Sequence, residues 1–539
     1  MGNVKSRTLG LTRRLATFGL VLGISAACTA SPTPITSSAA PVVTKASMTL
    51  AIGEEPPSAS IWRPLSGLGA QLERDLWSDP LTWYDATTKE LKPTGITLSW
   101  ESMAPDRWRF NLRPGVKFHN GEPWNAQAAA FGLSVMSDPA LGHESYQYAG
   151  PLKGEVVNDL TLDVVCPSAC PLLPRQTMQT VFQAPEWWKT ASPDERATKT
   201  VSTGPYKFVE WRRGTLIQST AYEDYVPAPN VAGMGKPKVK DVTLIWRKEP
   251  QVLAAAVKSG EADLAWDIGT EVRTLAPAWK SGGTTTIFAF TMDTIWHPEL
   301  KKLAVRQAIV HAVDCKAIVA SIYAGQTECR GNVAFAGVLG ITERNTKPYD
   351  YDPAMSKRLL QEANYDPKNL IVINIRAGRT VKGEEVGEAI QGYLKAVGMN
   401  VQLKIVETAT YNVLSNCGLA QKGATATQPA PNCAGADMIG YNPNHDDMQY
   451  GRQIVKRMDC NSIQAFFCDR TVIQPQLDKV NSLAGAERTA VLTSLADFVH
   501  DQAIFLPVHQ QFVTYAMTSS LVWDPRFDGR VRMDTMTFK

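Results

Sequence analysis

This chain of 539 residues lacks the local marks of an enzyme. It has no G-x-S-x-G around a nucleophile, no H-E-x-x-H, no EF-hand loop and no phosphate loop. Gly233-Met234-Gly235-Lys236 has neither the spacing nor the hydroxyl of a nucleotide site. The seven histidines (119, 143, 297, 311, 445, 500, 509) are scattered, and no two share a helical i, i+3 or i+4 step. The expectation is no catalytic residue, no metal and no cofactor. A triad assembled in space from distant segments keeps a hydrolase as the enzymatic rival. Surplus charge is missing too. Four of the 55 basic residues are Lys5, Arg7, Arg13 and Arg14; without them 51 basic side chains face 52 acidic ones. Nothing is left to capture a nucleic-acid backbone, so DNA and RNA are excluded as partners. Beyond the N-terminal segment no run of about 18 apolar residues offers a membrane span.

What is present belongs to a globular chain of more than one lobe: 44% apolar, 20% charged, and about three times a typical domain in length. Residues 1–27 read as a secretory signal, basic first and then apolar from Leu15 to Ala27. The run ends Ile24-Ser25-Ala26-Ala27-Cys28, similar to a bacterial lipobox with Ser25 where leucine is usual. Cys28 is then the lipidated N-terminus of the mature protein. Residues 28–47 are rich in Ser, Thr, Ala and Pro with a single charge at Lys45, the composition of a solvated tether. The expected location is extracytoplasmic, anchored to the cell membrane by lipid.

With Cys28 set aside, eight of the nine cysteines fall as four close pairs: Cys166 and Cys170, Cys315 and Cys329, Cys417 and Cys433, Cys460 and Cys468. An exported chain stapling its own loops shows this pattern. Eight cysteines allow 105 pairings, and the local set is the reading preferred here. No pair has the two-residue spacing of a zinc knuckle, and none has a histidine beside it.

Trp108, Phe110 and Leu112 alternate with polar residues as a half-buried strand, and Asn120-Gly121 signals a hairpin turn. Asn125 caps an Ala-rich helix from about Ala126. A further helix is expected from near Leu303 to near Gly325. Asp352-Pro353 opens another, with Leu359, Leu360 and Ala363 as its stripe and Asn364 as its stop. A strand over 370–375, a helix from Glu384 ended by Gly398, and a strand carrying Val401, Leu403 and Ile405 make a βαβ unit. The fourteen tryptophans, among them Trp62, Trp77, Trp83, Trp187, Trp188, Trp211, Trp266 and Trp296, are expected mostly in cores, with a few as cleft walls.

RWRFNLRPGVKFHNGEPW at 107–124 resembles the signature of the family 5 extracytoplasmic solute-binding proteins, close to "tFtLRpGVkFhdGtP". STGPYKFVEW at 202–211, LAVRQAIVHAVDCKAIVASIYAG at 303–325 and YDYDPAMSKRLLQEANY at 349–365 are similar to further family stretches, in the family's order. The resemblance implies an α/β, periplasmic-binding-protein-like two-lobed flytrap of the large three-domain type. Its domain I would comprise 48–78, 203–288 and 507–539, its inserted domain II 79–202, and its α/β domain III 289–506. It implies a monomer that captures oligopeptides and delivers them to the permease subunits of an ABC importer. In such proteins the peptide adds as a strand, and a carboxylate near "gW-x-x-D-y-x-D" takes its ammonium. Here the stretch is DMIGYNPNHDD, 437–447, with Asn444 at the ammonium-binding position. Gly440, Tyr441, Asn442, Pro443 and Asn444 are therefore the expected main-chain and wall contacts, and Asp446 or Asp447 the expected charge. The departure at Asn444 keeps haem, nickel chelates and oligosaccharides open as ligands, and a non-transporting envelope scaffold open as a role. A second departure, Ala128 in place of a frequent aspartate, touches only local capping.

Overall fold

The structure, a computed structural model, describes residues 45–59, 71–143, 146, 150–480 and 482–539. The signal segment, Cys28, the tether up to residue 44 and Trp62 lie outside the described residues. Among the described residues no helix is long and apolar enough to cross a membrane.

Ten strands form one mixed sheet. Its order is Val401–Val406, Ile371–Arg376, Met438–Tyr441, Ala278–Met292, Phe505–Met517, Leu264–Trp266, Ser47–Ile52, Asp241–Trp246, Leu216–Ala221 and Tyr206–Arg212. The two long central strands pair antiparallel and carry the sheet from one lobe to the other. Their ladder is interrupted between Gly283 and Ile287, a local irregularity in the strands that join the lobes. Each lobe has its own core. Phe290, Met292, Ile309, Ile373 and Ile390 belong to one, and Leu50, Ile52, Trp77, Leu244 and Leu264 to the other. A third cluster bridges them, setting Trp83, Tyr84 and Met178 against Val333, Phe335 and Tyr450.

The βαβ unit forms as expected. Ile371–Arg376 and Val401–Val406 run parallel, joined by the helix Gly383–Ala396, which buries Val386, Ile390 and Leu394. Ile405 is exposed because its strand is the sheet's edge. Asp352 caps the helix Pro353–Glu362 by accepting from Met355 N at 2.8 Å, and Asn125 caps Ala126–Met136 in the same way. The expected helix over 303–325 is instead two, Leu303–Ala312 and Cys315–Ile322. Val313 is extended, and Asp314 accepts from Ala317 N at 2.9 Å, so its carboxylate starts a new helix rather than continuing the old one.

The 107–124 stretch builds a separate four-stranded sheet, Thr97–Ala104, Arg107–Leu112, Thr161–Val165 and Lys153–Asn158. Phe110, Leu112, Phe118 and Trp124 fill its core, while Arg109 grips Asp163 through two bonds of 2.7 and 3.0 Å. Gly204 in 202–211 is required by close approach: a Cβ there would lie 2.4 Å from the backbone of Trp77 and Ser78. All four local disulfides are formed: Cys166–Cys170, Cys315–Cys329, Cys417–Cys433 and Cys460–Cys468.

The C-terminal segment lays down a buried layer of charge. Arg526 pairs with Asp528 at 2.8 Å, Arg530 with Asp75 at 3.5 Å, and Arg532 with both Asp534 at 3.0 Å and Asp79 at 3.4 Å. All three guanidinium groups lie over the buried ring of Trp83, 5.1 to 6.0 Å from its centre. Every other residue of 526–534 is thus an interior ion, and the layer locks the chain's end to the 75–83 segment.

Candidate functional site

The 437–447 segment begins as the strand Met438–Tyr441, paired on one side with Ala289–Met292 and on the other with Ile373–Asn374. Beyond the strand the burial alternates. Tyr441, Pro443, His445 and Asp447 point inward, and Asn442, Asn444 and Asp446 are half-buried.

Much of the main chain here is already committed. Gly440 O accepts from the Tyr411 hydroxyl at 3.0 Å, Pro443 O from Ile287 N at 3.1 Å, and Asn444 O from Gln453 Nε2 at 2.7 Å. The Tyr441 hydroxyl donates to Gln453 Oε1 at 2.9 Å, and its ring lies under the Arg457 guanidinium. Asp447 is buried beside Arg452 at 3.3 Å and accepts from Gln449 Nε2 at 2.8 Å. Its carbonyl takes the Tyr84 hydroxyl at 2.9 Å, and Arg175 donates to that same hydroxyl at 3.0 Å, so the 79–202 segment is tied to this loop. Asp446 accepts from the Thr285 hydroxyl, and its own N–H donates to Asn444 Oδ1 at 2.9 Å. The Asn442 side chain meets the joining strands: its Oδ1 accepts from Gln511 Nε2 and from the Thr380 hydroxyl at 3.1 Å.

Along the Phe505–Met517 strand, side chains alternate between two cavities. Gln510 and Phe512 line one of about 380 Å³ together with Lys89 and Arg330. Val513 lines another, of about 460 Å³, with Ile52, Gly53, Glu54, Trp266 and Asp267. Gln511 shares the face of Val513 by strand geometry, so Asn442 and the second cavity lie along one face.

This second cavity sits at the carboxyl ends of Ser47–Ile52 and Leu264–Trp266, parallel neighbours in the sheet. Open sheets take ligands at such ends. Trp266 is the last residue of its strand, and at Asp267 the backbone turns left-handed, φ +61°. Asp267 opens onto the cavity, yet the surrounding walls displace enough water that burial alone lifts its carboxyl above the usual range.

Four residues on, Glu271 reaches the other lobe, where Lys382 Nζ lies 2.7 Å from its Oε1 and 3.2 Å from Glu385. The hydrogen bond from Lys382 holds Glu271 below the usual carboxylate range, and the bonds to Glu271 and Glu385 raise the lysine. Among the described residues no three His, Cys, Asp or Glu side chains are grouped to hold a metal ion.

Motif spacing points to 440–447, and Trp266 is among the tryptophans expected mostly in cores with a few as cleft walls; Glu54, Asp267, Glu271, Lys382 and Gln511 carry no such signal. They come from distant parts of the chain, Glu54 and Asp267 just past strand ends, Lys382 just before a helix and Gln511 in mid-strand, so no local pattern marks them.

Two lobes joined by a pair of long strands, with a polar-edged cavity at the strand ends of one of them, have the architecture of a two-lobed solute-binding protein. The chain belongs to the bacterial extracellular solute-binding proteins, family 5 (middle), whose pattern matches residues 91–444. The nickel-binding periplasmic protein of Escherichia coli is 24% identical over 458 residues, 80% of this chain and 83% of that one. The fold is shared with the ABC transporter substrate-binding protein CtaP of Listeria monocytogenes. That match has a TM-score of 0.75 and 18% identity, and covers 92% of this chain and 100% of that one. It is shared too with the periplasmic binding protein DppA of Helicobacter pylori in complex with the peptide STSA, at TM-score 0.65 and 19% identity, covering 91% and 98%.

Proposed function

We propose that this protein is the lipid-anchored substrate-binding component of an ABC importer, which encloses oligopeptides between its lobes and hands them to membrane permease subunits. The observation that carries the reading is the cavity of about 460 Å³ at the parallel strand ends, within the size range of small-ligand sites. Its neighbourhood offers what an extended peptide needs: the half-buried Asn442, Asn444 and Asp446 beyond a strand end, and the aromatic Trp266 as a wall. The peptide complex of the H. pylori fold relative supports this ligand class. Cys28 would carry the lipid, residues 28–47 would act as the tether, and the mature protein would work outside the cytoplasm as a monomer. The three-domain division read from the sequence would place domains I and III as the closing jaws.

A nickel chelate is the second reading, favoured by the E. coli relative that spans 80% of this chain. The metal would have to arrive already chelated, since the described residues do not group into a site for the bare ion. Native mass spectrometry of the purified protein, followed by denaturing release, decides between the two. A ladder of peptide masses supports the oligopeptide reading. One nickel-bearing mass replaces it with the second, and a protein that stays empty when offered peptides and nickel chelates overturns both.

A further inference from the structure

We propose that Asp267 anchors the positively charged end of the ligand, from the lobe facing the 437–447 loop, and that this end is an organic ammonium such as the free amino terminus of a short peptide. The inference deepens the solute-capture reading and rests on it.

Four observations converge. The acids nearest Asn444 are occupied: Asp447 is buried against Arg452 and Gln449, and Asp446 takes the Thr285 hydroxyl. Asp267, by contrast, has no hydrogen-bond or ion-pair partner among the described residues, and neither has Glu54, which lines the same cavity. The position lies at the lobe junction, since Glu271 of the same loop pairs with Lys382 of the opposite lobe. And the cavity runs along the strand face that reaches Asn442 through Gln511.

The cavity walls crowd the exposed Asp267 carboxylate, and with no partner this partial loss of water costs free energy in the empty protein. A cation entering the cavity would offset that cost and gain a charge-assisted hydrogen bond, with Trp266 and Val513 covering the adjoining apolar atoms. Glu54, just past the end of the neighbouring parallel strand, adds negative potential without a direct contact being required.

The test uses full-length protein and isothermal titration with trialanine, N-acetyl-trialanine and agmatine, a non-peptide organic amine that also carries a guanidinium group. Asp267→Asn keeps the side-chain shape and tolerates the left-handed backbone, so the fold is retained; a thermal melt checks this. Trialanine is expected to bind wild type and to lose at least about thirtyfold in Asp267→Asn, the range for removing one partner of a buried charge pair. Acetylation is expected to cost wild type a similar factor and to cost the variant little more.

If trialanine binds and Asp267→Asn leaves its affinity intact, the anchor is refuted while the peptide reading stands. If agmatine alone binds and Asp267→Asn abolishes it, the anchor stands and the peptide reading falls. If none of the three probes binds wild type, both are overturned.

Discussion

A layer of buried acids and the cavity-lining Asp267, which is exposed, are treated in opposite ways. Tyr515 links them: burial raises its phenol first, and Asp267 on one side and Asp528 and Asp75 on the other push it further. In the layer beneath Trp83, each acid has an arginine. Burial pulls the Asp528 carboxyl up, but Arg526 and Arg530 outweigh it and leave it below the usual range. Asp79 rises to about 6 because burial prevails over Arg532 and the Tyr225 hydrogen bond. Burial draws the Arg532 guanidinium down, yet Asp534, Tyr225 and Asp79 together hold it above its ordinary value. At Asp267 burial acts alone. Matched charge inside a protein fixes one arrangement of the chain, whereas unmatched charge leaves a position that an incoming ligand can complete.

Breaking the matched region should give the largest effect. Arg532→Met leaves Asp79 and Asp534 in a fully buried setting without their shared cation. The expected loss is about 3–5 kcal/mol of unfolding free energy, read from the urea midpoint. A loss below about 1 kcal/mol would mean that the layer is hydrated and that the contrast with Asp267 is not one of burial.

The pH dependence sharpens the contrast. Asp79 carries a folded value of about 6 against an ordinary 3.8. Its folded state therefore holds the proton more tightly, so its contribution is complete below about pH 4 and is lost as pH rises through about 6. A shift of that size corresponds to about 3 kcal/mol. The stability of wild type relative to Asp79→Asn should fall by an amount of that order between pH 4 and 6; a difference that is flat with pH would refute the assignment. Asp267 is raised as well, so the same sign holds. Asp267→Asn should melt slightly above wild type at pH 7, with the gap closing as pH falls below about 4. A destabilised variant at pH 7 would reveal a partner for Asp267 within the folded chain.

These two regions also differ in how far the sequence discloses them. Elements whose signals are local are legible: the Asn125 and Asp352 caps, the βαβ period, the turn at Gly121, and cysteine pairs four to sixteen residues apart. The 303–325 helix was misread because its apolar stripe continues through a point where Asp314 can cap, and composition alone does not show that Val313 turns extended. The alternation of Arg and Asp over 526–534 reads as an exposed strand face. Only tertiary partners at Asp75, Asp79 and Trp83 make it interior. Asp267 was illegible for the converse reason, since its significance is the absence of a neighbour.

The smallest expected effect concerns closure. Lys382 sits left-handed, φ +56°, just before the helix Gly383–Ala396, with Nζ between Glu271 of one lobe and Glu385 of its own. The pair is part-exposed, so solvent screens it and it contributes about 0.2–1 kcal/mol. That suffices to bias a closing equilibrium by about 1.4- to 5-fold without locking it. Lys382→Met should shift the unliganded population toward open forms by such a factor in single-molecule distances between labels on the two lobes. Raising the salt should move wild type toward the variant, since an exposed ion pair weakens as the screening length falls. If Lys382→Met also lowered trialanine affinity as much as Asp267→Asn does, Glu271 and Lys382 would belong to the ligand contact itself. The distinction between an acid that waits for a ligand and an acid that closes on a lysine would then fail.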